Sequence, residues 1–181
     1  MKKIFFLAFV ALLSLNAVSQ IKSGSLQAAG LTCAMCTKAI NETLEELSFV
    51  ESVKADIKNS QFLIQFKPGQ NVDPDALKKA VEDAGFSVAK LKLALTFDNQ
   101  QVTNDSHVKV GGKTYHFLNI KPQTLNGEKT ITMVDRNFVL GKEFKKYSSK
   151  TEMACVQTGK AESCCKKEGI QENVRIYHVT I

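Results

Sequence analysis

The sequence predicts an α+β protein in two parts. Residues 23–95 read as a βαββαβ unit, a four-stranded antiparallel sheet with both helices on one face, and residues 107–181 as a small mostly-β domain. Three observations predict this. In the first part, apolar residues alternate with period two in some segments and recur at helical spacing in two others. After residue 106 helical periodicity nearly vanishes, and short β-patterned runs are separated by turn residues. The composition, 44% hydrophobic and 23% charged with 3 prolines and 10 glycines in 181 residues, is that of a folded chain and excludes a disordered, collagen-like or proline-rich one.

The amino terminus reads as an address. Met1-Lys2-Lys3 is a basic head, and the apolar run from Ile4 to Leu15 is well short of the roughly 20 residues that span a bilayer. Ala17-Val18-Ser19 presents small residues where a signal peptidase cleaves, so residues 1–19 are the expected signal peptide and the mature chain begins at Gln20. No cysteine near that point offers a lipid anchor, and no later run is apolar enough to span a membrane. The expectation is an exported protein, periplasmic or secreted, with no stable membrane anchor after cleavage. Cleavage also removes the charges of Lys2 and Lys3 from the formal +6. The remaining excess is dispersed and makes no stripe for nucleic acid, so none is expected as a partner.

In the mature chain, Ser25 to Ala29 reads as the first strand, stopped by Gly30. From Ala34 to Leu47, Cys36, Ile40, Leu44 and Leu47 fall on one helical face, with Glu42, Glu45 and Glu46 on the other. Val53, Ala55 and Ile57 alternate with polar residues as a half-buried strand, Lys58-Asn59-Ser60 is turn chemistry, and Phe62, Ile64 and Phe66 form the hairpin partner. Asp73-Pro74 is an N-cap followed by proline at the first helical position; Leu77, Val81 and Ala84 carry the buried stripe; Gly85 stops the helix. Phe86 to Leu95 closes the unit, with Ala89, Leu91, Leu93 and Leu95 on one face. Residues 96–106, polar and turn-rich, read as a linker. Beyond it, Gly111-Gly112 signals a tight hairpin between Val108–Val110 and Tyr115–Leu118. Asn126-Gly127 reads as a turn before Thr130–Val134, Lys142–Tyr147 as one or two helical turns, and Val174–Ile181 as a last strand. Short strands with one helical insertion predict a barrel or sandwich, OB-like in kind.

The chemistry begins at Gly30-Leu31-Thr32-Cys33-Ala34-Met35-Cys36, where the first strand hands over to the first helix. Amide N–H groups and the macrodipole at a helix start favour thiolate over thiol there. Soft thiolates select soft cations, Cu(I) above all, and two suffice for its linear coordination. Zn(II) prefers four ligands, and residues 20–106 hold no histidine and no third cysteine, so the unit alone cannot close a zinc site.

These residues resemble the heavy-metal-associated domains of copper chaperones, copper-transporting ATPases and the periplasmic mercury-binding protein. The family pattern is Gly-Met-Thr-Cys-x-x-Cys opening a ferredoxin-like βαββαβ fold; this chain departs from it only by Leu31 in place of methionine, a prop that leucine serves nearly as well. Asp83-Ala84-Gly85-Phe86 matches the family's stop after the second helix. The resemblance implies that Cys33 and Cys36 are the metal ligands, that Phe86 lies near the metal loop, and that Met35 is an exposed spacer. Lys38, one turn into the helix, either offsets the charge of a bis-thiolate site or is an ordinary solvated residue. The implied function is capture and transfer of Cu(I) by thiolate exchange with a metal-transporting ATPase or another metal-binding protein, without enzymatic turnover. Hg(II) scavenging is the alternative within metal binding, Zn(II) is a further ion the chain could take, and a thiol–disulfide oxidoreductase is the alternative from another class. Against the last, the chain has no tryptophan and the spacer is Ala34-Met35 rather than Gly-Pro.

Three further cysteines, Cys155, Cys164 and Cys165, lie in a lysine-rich stretch without helix or strand pattern, which places them near the surface. In an exported protein the expected reading is a disulfide from Cys155 to Cys164 or Cys165. The sharper alternative is a second soft-metal site made by these three, with Met153 as a thioether ligand, which the linker would bring to Cys33 and Cys36. His107, His116 and His178 are scattered in β-patterned segments and read as structural.

Overall fold

The computed structural model describes residues 21–31 and 34–181; the expected signal peptide lies outside them. The first part folds as β1 (Ile21–Ala29), α1 (Ala34–Glu45), β2 (Val50–Asp56), β3 (Gln61–Phe66), α2 (Pro74–Asp83) and β4 (Ser87–Val102), the expected βαββαβ order. Strand β1 starts at Ile21, earlier than its alternation suggests, because it pairs along its length with β4, from Ile21 opposite Leu95 to Ala29 opposite Ser87. The helices behave as their stripes require: Ile40 and Leu44 of α1 and Leu77 and Val81 of α2 are fully buried. Asp73 caps α2, its carboxylate accepting from the Asp75 N–H at 3.0 Å, and Gly85 takes φ +87 at the exit. Ile57 differs from expectation. Strand β2 ends at Asp56, whose carboxylate holds the turn by accepting from Asn59, and Ile57 is left 79% exposed in that turn.

The second part adds β5 (His107–Val110), β6 (Lys113–Phe117), β7 (Gln123–Met133), α3 (Gly141–Ser148), the short α4 (Cys155–Thr158), a 3-10 helix (Ser163–Glu168) and β8 (Ile176–Thr180). Its strands do not form a separate barrel or sandwich. Among the described residues, eight strands join one open sheet in the order β2-β3-β1-β4-β7-β8-β6-β5, in which only β6 and β8 pair in parallel. The expected linker is corrected accordingly: residues 96–102 continue β4 and pair with β7 from Thr96 opposite Glu128 to Val102 opposite Gln123. Polar side chains are tolerated there because backbone pairing, not side-chain burial, holds the strand. Asn126-Gly127 is likewise not a turn. Gly127 sits inside β7 at φ +69, opposite Phe97, beside a register shift where Asn99 also has positive φ, which is the backbone signature of a β-bulge.

The core crosses the boundary that the composition suggested. Leu26, Leu91, Leu93, Leu95 and Phe97 belong to the same buried cluster as Val108, Phe117, Leu125, Ile131 and Val179. Arg175, just before β8, ties the parts from the side. Its guanidinium donates to both carboxylate oxygens of Asp75 in α2 (2.9 and 3.2 Å), to Asp135 (3.3 Å), and to the carbonyls of Gly159 and Ile176. The Tyr177 hydroxyl reaches Asp73 and Asp75 at 3.2 and 3.1 Å from the same side.

Candidate metal centres

Strand β1 ends and the chain turns through Gly30, at φ +75, a conformation that favours glycine. Leu31 then packs half-buried against the core, as expected of a prop. Thr32 and Cys33 lie outside the described residues, and α1 opens at Ala34. Cys36 therefore sits in the first helical turn, half-buried, with Met35 beside it 83% exposed. The Cys36 sulfur is disulfide-bonded, so thiolate chemistry here requires prior reduction. Lys38 is exposed and pairs with Glu42 at 3.6 Å, one turn along the same helix. Phe86 is half-buried and packs against the core.

The second cysteine group is where sequence and structure differ most. Cys155, Cys164 and Cys165 are free thiols, so the expected disulfide is not formed. Nor are they superficial: Cys155 and Cys165 have no exposed surface, and only Cys164 is half-buried. Cys155 opens α4 and the other two sit in the 3-10 helix, elements too short to carry a periodic pattern. Together with Ala161, Ile170 and Ile176 they form a small buried cluster, against which Met153 packs partly buried.

Two histidines complete this group. His107 of β5 and His116 of β6 are cross-strand partners, and His178 of β8 is in register with His116, so the three imidazoles form a row across neighbouring strands. The rings of His107 and His116 stack at 4.3 Å, and His178 stands edge-on to His116 at 5.0 Å. Each imidazole has a carboxylate on one nitrogen: Glu168 at His107 Nδ1 (2.9 Å), Asp105 at His116 Nε2 (3.2 Å) and Asp135 at His178 Nδ1 (2.8 Å). With those nitrogens donating, the opposite nitrogens of His107 and His116 carry lone pairs and face sulfur. His116 Nδ1 lies 3.6 Å from Cys155 Sγ, and His107 Nε2 3.8 Å from Cys165 Sγ. Burial, reinforced by the neighbouring histidines, lowers the His116 pKa to about 2, and burial likewise pushes the Cys155 thiol up. The buried Nε2 of His178 has no hydrogen-bond partner. Reading these histidines as purely structural misses the juxtaposition, although the hairpin centred on Gly111-Gly112 already sets position 107 opposite 116.

The first part of the chain, with Cys36 in the first turn of its first helix, is a βαββαβ module. That module is a heavy-metal-associated domain: residues 25–87 match the family of that name. Over 79 residues the chain is 27% identical to a probable copper-exporting P-type ATPase of Archaeoglobus fulgidus, a match that takes in 44% of this chain and 10% of the ATPase. Over 94 residues it is 24% identical to the probable copper-transporting ATPase HMA5 of Arabidopsis thaliana, covering 52% of this chain and 9% of that one. Among solved structures, the CopZ metallochaperone is 27% identical, with a TM-score of 0.34 over 37% of this chain and 98% of its own. The chain thus spans only about a tenth of the curated relatives it matches, and its second part lies beyond the family match.

Proposed function

We propose that this is an exported protein that captures Cu(I) between Cys33 and Cys36 and passes it on by ligand exchange. The observation that carries the reading is the position of Cys36 in the first turn of α1, within a heavy-metal-associated domain whose similar proteins include probable copper ATPases. A helix start stabilises thiolate, and two thiolates satisfy Cu(I) without enclosing it. An incoming partner thiolate can then join the bound ion in a three-coordinate intermediate, and one resident sulfur leaves with its coordination taken over by the partner. No covalent bond of a substrate is made or broken, so this is a carrier and not an enzyme. The fitting partner is a metal-transporting ATPase or another thiol-bearing metal protein that docks transiently. The leader over residues 1–19 supports export to the periplasm or beyond.

The test is a Cu(I) titration of the reduced mature chain under anaerobic conditions, in competition with a chromophoric chelator. Cys33→Ser or Cys36→Ser should each lose one tightly bound Cu(I) while the far-UV circular dichroism stays unchanged. Retention of that equivalent by either variant would refute the assignment. Parallel titration with Hg(II) decides whether mercury is preferred, and insulin reduction well above a dithiol control would favour the oxidoreductase instead.

A further inference from the structure

We infer that Cys155, Cys165, His107 and His116 form a second metal centre, a closed four-coordinate thiolate–imidazole site for a borderline first-row divalent cation of the Zn(II) class, with Cys164 as an adjacent third sulfur. The inference is independent of the Cys33–Cys36 reading. Its first support is spacing. One ligand atom each from His107, His116 and Cys155, and one each from Cys155, Cys164 and Cys165, lie within 4.8 Å of one another, so Cys155 belongs to both triads. The His116–Cys155 contact of 3.6 Å and the His107–Cys165 contact of 3.8 Å join ligand atoms of the proposed set. Around a tetrahedral ion with bonds of about 2.3 Å to sulfur and about 2.0 Å to nitrogen, neighbouring sulfur and nitrogen atoms sit about 3.5 Å apart and two sulfurs about 3.8 Å apart. The contacts are thus near tetrahedral edges, and small shifts close the set.

The second support is orientation. Glu168 and Asp105 hold the far nitrogens of His107 and His116 and leave the near ones as acceptors, the carboxylate–histidine arrangement that orients imidazole for a metal. Glu168 also accepts from the His107 backbone N–H at 3.2 Å, which pins it to β5. The third is charge. Two thiolates and two neutral imidazoles around a divalent cation sum to zero, so the ion can be buried without an unpaired charge. The mixture of nitrogen and sulfur donors in a four-coordinate set favours Zn(II) over Cu(I), which is satisfied by two or three soft ligands. The polypeptide supplies these ligands from β5, β6, α4 and the 3-10 helix, so binding would staple the irregular segment carrying the cysteines to the edge of the sheet.

The test uses the reduced mature chain with Cys33→Ser and Cys36→Ser, so that failure of the first site has no bearing on it. Co(II) alone is the probe. One equivalent should bind with sulfur-to-cobalt charge-transfer absorption and the intense visible bands of a tetrahedral ion, and one equivalent of Zn(II) should displace it. Cys155→Ser and His116→Ala should abolish both signals. Because both side chains are buried and the variants can misfold, Glu168→Gln serves as the second variant, since its side chain is 41% exposed. It should stay folded and bind Zn(II) about 10- to 100-fold more weakly. The inference is overturned if the folded parent shows no thiolate–Co(II) absorption, if a folded Cys155→Ser variant binds Zn(II) as the parent does, if Glu168→Gln leaves the affinity unchanged, or if Cu(I) alone binds the cluster.

Discussion

Arg175→Met is the sharpest probe of how the two parts of the chain are joined. It keeps most of the side-chain length but removes the donors to Asp75, Asp135, Gly159 and Ile176. Asp135 is 5% exposed and loses one of its partners, retaining the His178 backbone N–H at 2.9 Å and the ring at 2.8 Å. Breaking a fully buried ion pair from one side costs about 3–5 kcal/mol. Arg175 is 28% and Asp75 42% exposed, so the low side applies, and we expect a loss of about 2–3 kcal/mol. For a chain of this size that corresponds to a fall in Tm of roughly 4–12 °C. Urea denaturation followed by circular dichroism and by tyrosine fluorescence should give coincident single transitions in the parent and a lower midpoint in the variant. Acid should narrow the gap. Burial acts to raise the Asp75 pKa, but the Arg175 hydrogen bonds and charge outweigh it and hold it below 3.8. A carboxyl depressed in the folded state contributes stability above its unfolded pKa and loses it as pH falls through the folded one. The difference between parent and variant should therefore shrink as pH drops below 3.8. A loss under about 0.5 kcal/mol, the size of an ordinary surface substitution, or two separate transitions in the parent, would refute the reasoning.

Protein purified in air should take up Cu(I) at the first site only after reduction, since Cys36 is disulfide-bonded; full loading of an untreated sample without free thiols contradicts this. Phe86→Ala should leave copper stoichiometry intact, cost about 1–2 kcal/mol because the ring is only half-buried, and speed air oxidation of Cys33 and Cys36. Unchanged oxidation and affinity would remove any part for Phe86 at the metal loop.

The first part of the fold was legible because its signals are local. Asp73-Pro74 and Gly85 bound α2, and Phe62, Ile64 and Phe66 alternate with partners that β1 and β2 supply within a short stretch of chain. The second part was not, because its determinants are distant. Gln100 to Val102 look like a linker until β7, more than twenty residues on, takes up their register. Strand β8 enters between β7 and β6, a placement that no periodicity encodes. At the first site, Cys36 falls in the opening turn of α1 as the helical spacing of Cys36, Ile40 and Leu44 requires. The Cys155 cluster could not be read from spacing, since its ligands come from four elements, and the one local hint was the pairing of positions 107 and 116 about Gly111-Gly112.

Strand β4 is also a mechanical member. Of its sixteen residues, the stretch 87–95 pairs with β1 on one edge and the stretch 92–102 with β7 on the other, so residues 92–95 are paired on both. A chaperone domain on a flexible tether can swing its cargo to a second site on the same chain; a domain bonded into a shared beam cannot. Bending β4 enough to bring the α1 end to the histidine row would break backbone pairs on both sides of it. If both proposed sites bind metal, transfer between them should run through a partner or another copy of the chain, and its rate should rise with protein concentration.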